Sequence, residues 1–364
     1  SICYVYNTSQ YLYLHRFDLI KKMSKSGFTI YAIAPKDDYS DKIRGKNINF
    51  IELDIERKGY NIFNDMKYFY KLLKIYFNLK PSIVHHFTIK PIIYGTICAR
   101  IIKVPKIINS INGLGYSLVN KGFKSFLARL GYKYSLYTRK VVNIFQNKDD
   151  LNYFVSNRMC YEKSAHLIQG CGVNLNRFRS TNKDDDWFNG DIKFLFLSRM
   201  LRDKGLIELV EAAKSLFIDN DKFELLLFGL PDEGNPESVT SSWLKKISEH
   251  PAINWVGYTD KSHKEIDRCH VMILPSYREG LSQSLLEGLA MGKPIITSNV
   301  PGCRELIYKN GYLVTPKDKN SIIQSMKEIL ENREILPSMS RNSKKMSKRF
   351  DVNKINYQLK KLYD

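Results

Sequence analysis

The sequence predicts an α/β protein of two doubly wound parallel-sheet domains in tandem, and three observations predict it. The chain has 364 residues, too many for one ordinary domain and suited to two of about 150 to 180 each. Short apolar runs of strand length alternate with longer stretches of helical periodicity. That alternation occurs once, is interrupted by a polar stretch, and occurs again.

In the first half the strand-like runs are Ile2 to Tyr6, Thr29 to Ala34, Asn49 to Leu53, Ile83 to His86, Lys106 to Ser110 and Val141 to Gln146. Helical patterns fall between them, as at Leu14 to Ser26 and Asn64 to Asn78. In the second half strands are expected at Phe194 to Ser198, Phe223 to Phe228, Ile253 to Val256, Val271 to Leu274, Pro294 to Thr297 and Gly311 to Val314, with Gly229, Gly257, Gly302 and Gly311 punctuating their ends. Strands buried on both faces and joined through helices make parallel sheets, so each half reads as Rossmann-like. The stretch "IQGCGVNLNRF" (Ile168 to Phe178) and the polar residues after it supply a hinge and linker. The expected division is a domain over 1–172, a second over 173–345, and a terminal helical segment, 346–364, packing back on the first. Ligands of such sheets bind outside the carboxyl ends of the strands, so two such domains would face one another across a cleft.

Hydrophobic residues at 43% and charged residues at 26% describe a globular chain, not a disordered one. The six cysteines are scattered without a C-x-x-C pair, which argues against zinc and a disulfide framework and places the chain in a reducing cytosol. No run of 18 apolar residues is present, and "SICYVYN" reads as a buried strand rather than a signal peptide.

The formal net charge of +20 is unevenly spread. Up to Gly172 there are 27 Lys and Arg against 11 acids, giving +16, whereas the remainder holds 30 against 26, giving +4. Between Asp65 and Asp149 fifteen Lys and Arg occur with no acid. Within that segment Phe123, Phe126, Leu127, Leu130 and Tyr134 fall at helical spacing, with Lys124, Arg129 and Lys133 toward the other side and Lys121 just before them. A basic amphipathic helix suits an anionic membrane surface, at about 1 kcal/mol per basic residue near it; the alternative is a helix packed into the core. Nucleic acid also suits a basic surface, but no helix-turn-helix, zinc-finger or RNP-type motif is present, so no nucleic-acid partner is expected.

The second half carries the chemistry. "FLFLSRMLRDKGL" leads from a strand into Arg199 and, five residues on, Lys204. Two cations on one loop at a strand's carboxyl end can grip a diphosphate. In "LPSYREGLSQSLLEG" a strand is followed by Glu279, then Gly280, Leu281 and Ser282 open a helix. Glycine permits close backbone approach, and the amides and dipole of a helix start attract phosphate. Glu287, a turn or so into that helix, can accept from both vicinal hydroxyls of a ribose. Glu279 would then meet hydroxyls beyond the phosphates. Taken singly, each of these residues is more often a solvated surface charge.

Taken together and in order, "SRMLRDKG", "WVGYTD", "ILPSYREGLSQSLLEGLAMGKPII" and "NVPGCRE", with "HHFTIKPIIYG" and "SINGLGY" in the first half, resemble glycosyltransferase family four, the retaining enzymes of the GT-B fold. The resemblance covers essentially the whole chain. It points to the bacterial branch that extends undecaprenyl-diphosphate-linked oligosaccharides, similar to α-1,3-N-acetylgalactosaminyltransferases of surface-glycan pathways.

What the resemblance implies can be placed residue by residue. Arg199 and Lys204 would neutralise the diphosphate of a UDP-sugar, a co-substrate with no further cofactor. Glu287 would hold the ribose, Glu279 the donor sugar, and the amides of Gly280, Leu281 and Ser282 the distal phosphate. Trp255 to Tyr258, including Gly257, would line the base pocket. His86, Lys90 and Asn112 to Tyr116, including Gly113, would face a polyprenyl-diphosphate-linked saccharide. Neighbouring strand residues point to opposite faces, so His85 and His86 cannot both reach it. The loop "NTSQYLYLH" lacks the glycine pair of many members, and Ser9 stands as its substitute. The family implies same-face attack with the leaving phosphate accepting the proton. Cations and amides then take the place of a metal, and the acidic run Asp184 to Asp186 is read as a solvated loop. The expected location is the inner face of the cell membrane, peripherally. The alternatives are a cytosolic transferase acting on a soluble acceptor and a sugar-nucleotide epimerase of the same fold.

Overall fold

The computed structural model describes residues 1–45, 47–56, 61–114, 118, 122–181 and 190–364, with the backbone alone at Lys124. It divides into two compact units, Ser1–Cys171 with Ile355–Asp364, and Gly172–Lys354. The chain thus re-enters the first unit at Ile355, within the last helix.

The first unit is a seven-stranded sheet in the order β3-β2-β1-β4-β5-β6-β7, every pairing parallel. Its strands are β1 (Ile2–Val5), β2 (Ile30–Ala34), β3 (Ile48–Glu52), β4 (Ile83–Phe87), β5 (Lys106–Ile111), β6 (Val141–Phe145) and β7 (Ala165–Leu167). The central strands β1 and β4 are buried along their whole length, which is why their sequences are unbroken apolar or aromatic runs. Helix α1 (Ser9–Lys25) starts where the Thr8 hydroxyl accepts from Tyr11 N, a side-chain cap for an otherwise unpaired amide. It covers one sheet face through Leu12, Leu19, Ile20 and Met23; a short helix, α2 (Ser40–Ile43), follows β2. On the other side α4 (Ile89–Ile101) packs against both α3 (Ile62–Leu79) and α5 (Phe123–Leu136). Helix α6 (Lys148–Ser156) follows β6, capped by Asn147.

The second unit is a six-stranded sheet in the order β10-β9-β8-β11-β12-β13, again wholly parallel. Its strands are β8 (Ile192–Leu197), β9 (Phe223–Phe228), β10 (Ile253–Gly257), β11 (Val271–Leu274), β12 (Ile295–Ser298) and β13 (Gly311–Val314). They are covered by α7 (Leu206–Asp219), α8 (Ser241–Ile247), α9 (Ser262–Arg268), α10 (Gln283–Ala290), α11 (Lys319–Glu331) and α12 (Leu336–Ser347). One apolar core spans the unit, from Val173 to Phe350. The last helix, α13 (Val352–Tyr363), ends in the first unit, where Tyr363 OH meets His85 Nδ1 at 2.6 Å and Lys106 Nζ donates to the Tyr363 carbonyl at 2.9 Å. These contacts fasten it beside β4 and β5.

Strand order fixes where each unit can bind a ligand. From β8 the chain turns to β9 on one side, whereas β11 turns to β12 on the other. The crevice between the carboxyl ends of β8 and β11 is therefore a topological switch point. The ends of β1 and β4 make the same crevice in the first unit.

Candidate active site

The loops that meet at the second unit's switch point carry the cations and carboxylates singled out from the sequence. Beyond β8 the chain passes Arg199, makes one 3₁₀ turn over Arg202–Lys204, and enters α7 through Gly205 in the left-handed region at φ 71°. A Cβ on Gly205 would strike the carbonyl of Pro275, so glycine lets the β8 and β11 loops approach. Lys204 Nζ reaches Glu279 Oε1 at 2.7 Å, and Ser276 Oγ donates to the same oxygen at 2.9 Å. The Lys204 and Glu279 side chains are 13% and 15% exposed, largely out of water. Arg199 Nη1 lies 2.6 Å from Asp232 Oδ2; Asn235 Nδ2 donates to that oxygen at 3.2 Å.

The Glu279 loop is held from behind by the "NVPG" turn. Glu279 N donates to Pro301 O and Ser282 N to Gly302 O, both at 3.2 Å. A Cβ on Gly302, at φ 81°, would collide with the backbone of Glu279 and Gly280. One expectation changes here: the Ser282 amide is engaged by Gly302 and is not a phosphate donor. Its hydroxyl caps α10 by accepting from Leu285 N. The Leu281 side chain belongs to the core, so only its backbone can serve a ligand.

Glu287 lies on α10, half-buried against Ser262 and Gln283, which donate to it. Loss of hydration pushes its carboxyl up to about 7, opposed by those hydrogen bonds and by Arg177. A carboxylate deprived of water is short of donors, and vicinal hydroxyls supply two. At the carboxyl end of β10, Gly257 adopts φ 94° and accepts from Gly229 N at 2.7 Å, while Trp255 Nε1 donates to Gly229 O at 2.9 Å. Tyr258 beyond it is exposed.

In the first unit three expectations are corrected. His86 is fully buried: its ring bridges Tyr76 OH and Asn109 Oδ1 at 2.8 Å each and packs under Gly95. Burial lowers its affinity for a proton, to a pKa of about 4. Lys90 is also buried, paired with Asp65 at 2.7 Å. Ser9 is buried too, its hydroxyl donating to Pro35 O and accepting from Ser40. All three are satisfied inside the fold and present nothing to a ligand.

Asn112 and Gly113, by contrast, lie at the carboxyl end of β5. Asn112 is half-buried, its Oδ1 accepting from Gln146 Nε2 at 2.8 Å and its Nδ2 donating to Tyr6 OH at 3.3 Å. Tyr116, Lys121 and Asp184 to Asp186 fall outside the described residues, as does the Lys124 side chain. Among the described residues, no group of three or more His, Cys, Asp or Glu could hold a metal ion.

Ser276 and Asp232, which orient Glu279 and Arg199, were not anticipated. Ser276 lies within the quoted motif, three residues before Glu279. Asp232 follows a different strand, and no spacing in the sequence marks it.

Helix α5 does not divide into an apolar and a basic side as expected: it has one buried face and one exposed face that is both aromatic and basic. Ser125, Ala128, Tyr132 and Leu136 are buried, while Phe123, Phe126, Leu130 and Tyr134 are 74%, 60%, 53% and 66% exposed, beside exposed Arg129 and Lys133. Among the described residues no helix is long and apolar enough to cross a membrane.

Two parallel-sheet units of this strand order, with paired cations and the E-x7-E glutamates at the second switch point, define a glycosyltransferase of the GT-B type. The chain matches "Glycosyl transferases group 1" over residues 178–346 and "Glycosyl transferase 4-like" over residues 1–148. It belongs to this glycosyltransferase family. It is 28% identical to the N,N'-diacetylbacillosaminyl-diphospho-undecaprenol alpha-1,3-N-acetylgalactosaminyltransferase of Campylobacter jejuni, across 97% of this chain and 95% of that one. It is 24% identical to the UDP-Gal:alpha-D-GlcNAc-diphosphoundecaprenol alpha-1,3-galactosyltransferase of Escherichia coli, across 84% and 81%. Among solved structures, Anabaena Alr3699/HepE in complex with UDP and glucose shares the fold with a TM-score of 0.81 at 15% identity, covering 99% of this chain and 98% of that one.

Proposed function

We propose that the protein transfers a sugar, an N-acetylhexosamine with N-acetylgalactosamine favoured, from a UDP-sugar to a polyprenyl-diphosphate-linked saccharide, with retention and without a metal. The observation that carries this reading is Lys204 held 2.7 Å from Glu279 at the switch point, with Arg199 on the same loop. Cleaving the sugar–phosphate bond builds negative charge on the leaving diphosphate. A preorganised ammonium and guanidinium meet that charge without having to reorganise. An arriving phosphate competes with Glu279 for Lys204, which frees the carboxylate for hydroxyls of the donor sugar. Glu287 takes the ribose, and the base lies along the Trp255–Tyr258 segment. The activities of the Campylobacter and Escherichia relatives support the lipid-linked acceptor.

The exposed aromatic and basic face of α5 supports work at an anionic membrane, on the inner face of the cell membrane. A panel of UDP-sugars tested with undecaprenyl-diphosphate saccharides, scored by UDP release, tests the reading. Release should need both a UDP-N-acetylhexosamine and a lipid-linked acceptor. Turnover of the donor with no acceptor would instead indicate an epimerase or a hydrolase.

A further inference from the structure

The carboxyl edge of the first unit's sheet holds a buried cation with no carboxylate beside it among the described residues. Arg16 lies on the core face of α1, four residues after Leu12 and three before Leu19, and is 3% exposed. Its guanidinium stands 4.7 Å over the Phe87 ring at the end of β4, and Nη2 donates to Asn112 Oδ1 at 3.4 Å. Among the described residues Nε–H has no acceptor and no carboxylate pairs with this side chain. Burying an uncompensated charge is costly, and a fold keeps one where negative charge is to arrive.

The flanking loops support the same conclusion. Asn7 Oδ1, just beyond β1, and Thr88 Oγ1, just beyond β4, are buried atoms without a hydrogen-bond partner among the described residues. Thr88 holds φ 66° and ψ 160°, a region that a β-branched residue avoids, and such strain gathers at ligand-binding turns. These residues, with Asn112 and Gln146, stand at the ends of β1, β4, β5 and β6, around this sheet's switch point.

We infer that this edge is a diphosphate-recognition site built on Arg16. The guanidinium is a planar donor fork suited to phosphate oxygens. The Thr88 hydroxyl donates to the same group, and Asn7 Oδ1 accepts from a neighbouring sugar hydroxyl. The inference rests on the proposed transfer reaction, in which donor and acceptor each carry a diphosphate.

Steady-state kinetics of Arg16→Met, which keeps the bulk and removes the charge, test it and separate the two sources. The same saccharide is supplied on a short polyprenyl diphosphate and on a phosphate-free alkyl chain. If the acceptor's diphosphate binds here, KM for the polyprenyl-diphosphate acceptor rises at least tenfold while KM for the alkyl glycoside is unchanged. If the donor's diphosphate binds here, KM for the UDP-sugar rises at least tenfold with both acceptors. In either case Arg16→Lys, which keeps the charge and loses the fork, raises the same KM by less than Arg16→Met does. A folded Arg16→Met with both KM values within twofold of the parent, or with only kcat reduced, overturns the inference; in the latter case Arg16 merely orients Asn112. Should Arg16→Met not fold, Asn7→Asp should raise the same KM tenfold by repulsion, and an unchanged KM overturns the site. A parent that transfers to neither acceptor refutes the transfer reading instead. Calorimetry with inorganic pyrophosphate in an Arg199→Ala/Lys204→Ala background then decides the site alone: affinity lost on adding Arg16→Met supports it, and affinity retained overturns it.

Discussion

Replacing Lys204 by Ala should disable turnover far more than it destabilises the fold. The substitution removes one of two cations from the proposed leaving-group site. Loss of a single preorganised donor costs about 3 kcal/mol in the transition state, roughly a hundredfold in rate. It also takes the Lys204 ammonium away from Glu279, which keeps the Ser276 hydroxyl. A fully buried carboxylate stripped of its partner costs about 3–5 kcal/mol. Glu279 is 15% exposed, so water can reach it, and about 1–2 kcal/mol is expected, a fall of roughly 3–6 °C in melting temperature for a unit of this size. Adding Glu279→Gln should recover the stability, because the charge that lost its ammonium is gone, and should not recover the turnover. Paired thermal unfolding and UDP-release assays read both effects. A folded Lys204→Ala enzyme within threefold of the parent would refute the leaving-group role.

Other perturbations probe separate parts. The Glu287 carboxyl, raised to about 7, must be ionised to accept from ribose hydroxyls, so UDP affinity should rise between pH 6 and 8 by calorimetry. Glu287→Gln should bind weakly and lose that slope; an unchanged slope would remove Glu287 from the site. Excess chelator should leave turnover intact, and loss restored by Mg²⁺ or Mn²⁺ would contradict metal-free catalysis. Neutralising Arg129 and Lys133 to Gln should remove about 2 kcal/mol of attraction to anionic liposomes, roughly thirtyfold in partitioning, with UDP binding unchanged. Equal flotation of parent and variant would place any membrane contact elsewhere.

Twelve strands were legible as short apolar runs, the inner ones such as β1, β11 and β12 because a strand buried on both faces must be one. The thirteenth, β7 (Ala165–Leu167), is a short edge strand with no buried residue, so it leaves no such run. The Glu279 loop was legible because one stretch of chain carries carboxylate, glycine and helix start together. His86 and Lys90 misled because their partners, Tyr76, Asn109 and Asp65, are brought in by the fold from 10 to 25 residues away, and spacing cannot show a satisfied histidine or lysine. Arg16 was missed for the opposite reason. Its place between Leu12 and Leu19 puts it on the buried face of α1, and that spacing was readable, yet a lone arginine in a helix passes for a surface charge.

The most direct test of the account is mass analysis of the lipid fraction. Parent enzyme is incubated with UDP-N-acetylgalactosamine and a polyprenyl-diphosphate saccharide in anionic liposomes, with chelator present. The account predicts one N-acetylhexosamine added to the lipid-linked saccharide, with an equal amount of UDP released. UDP released while the lipid mass stays unchanged, across a full panel of UDP-sugars, would contradict it.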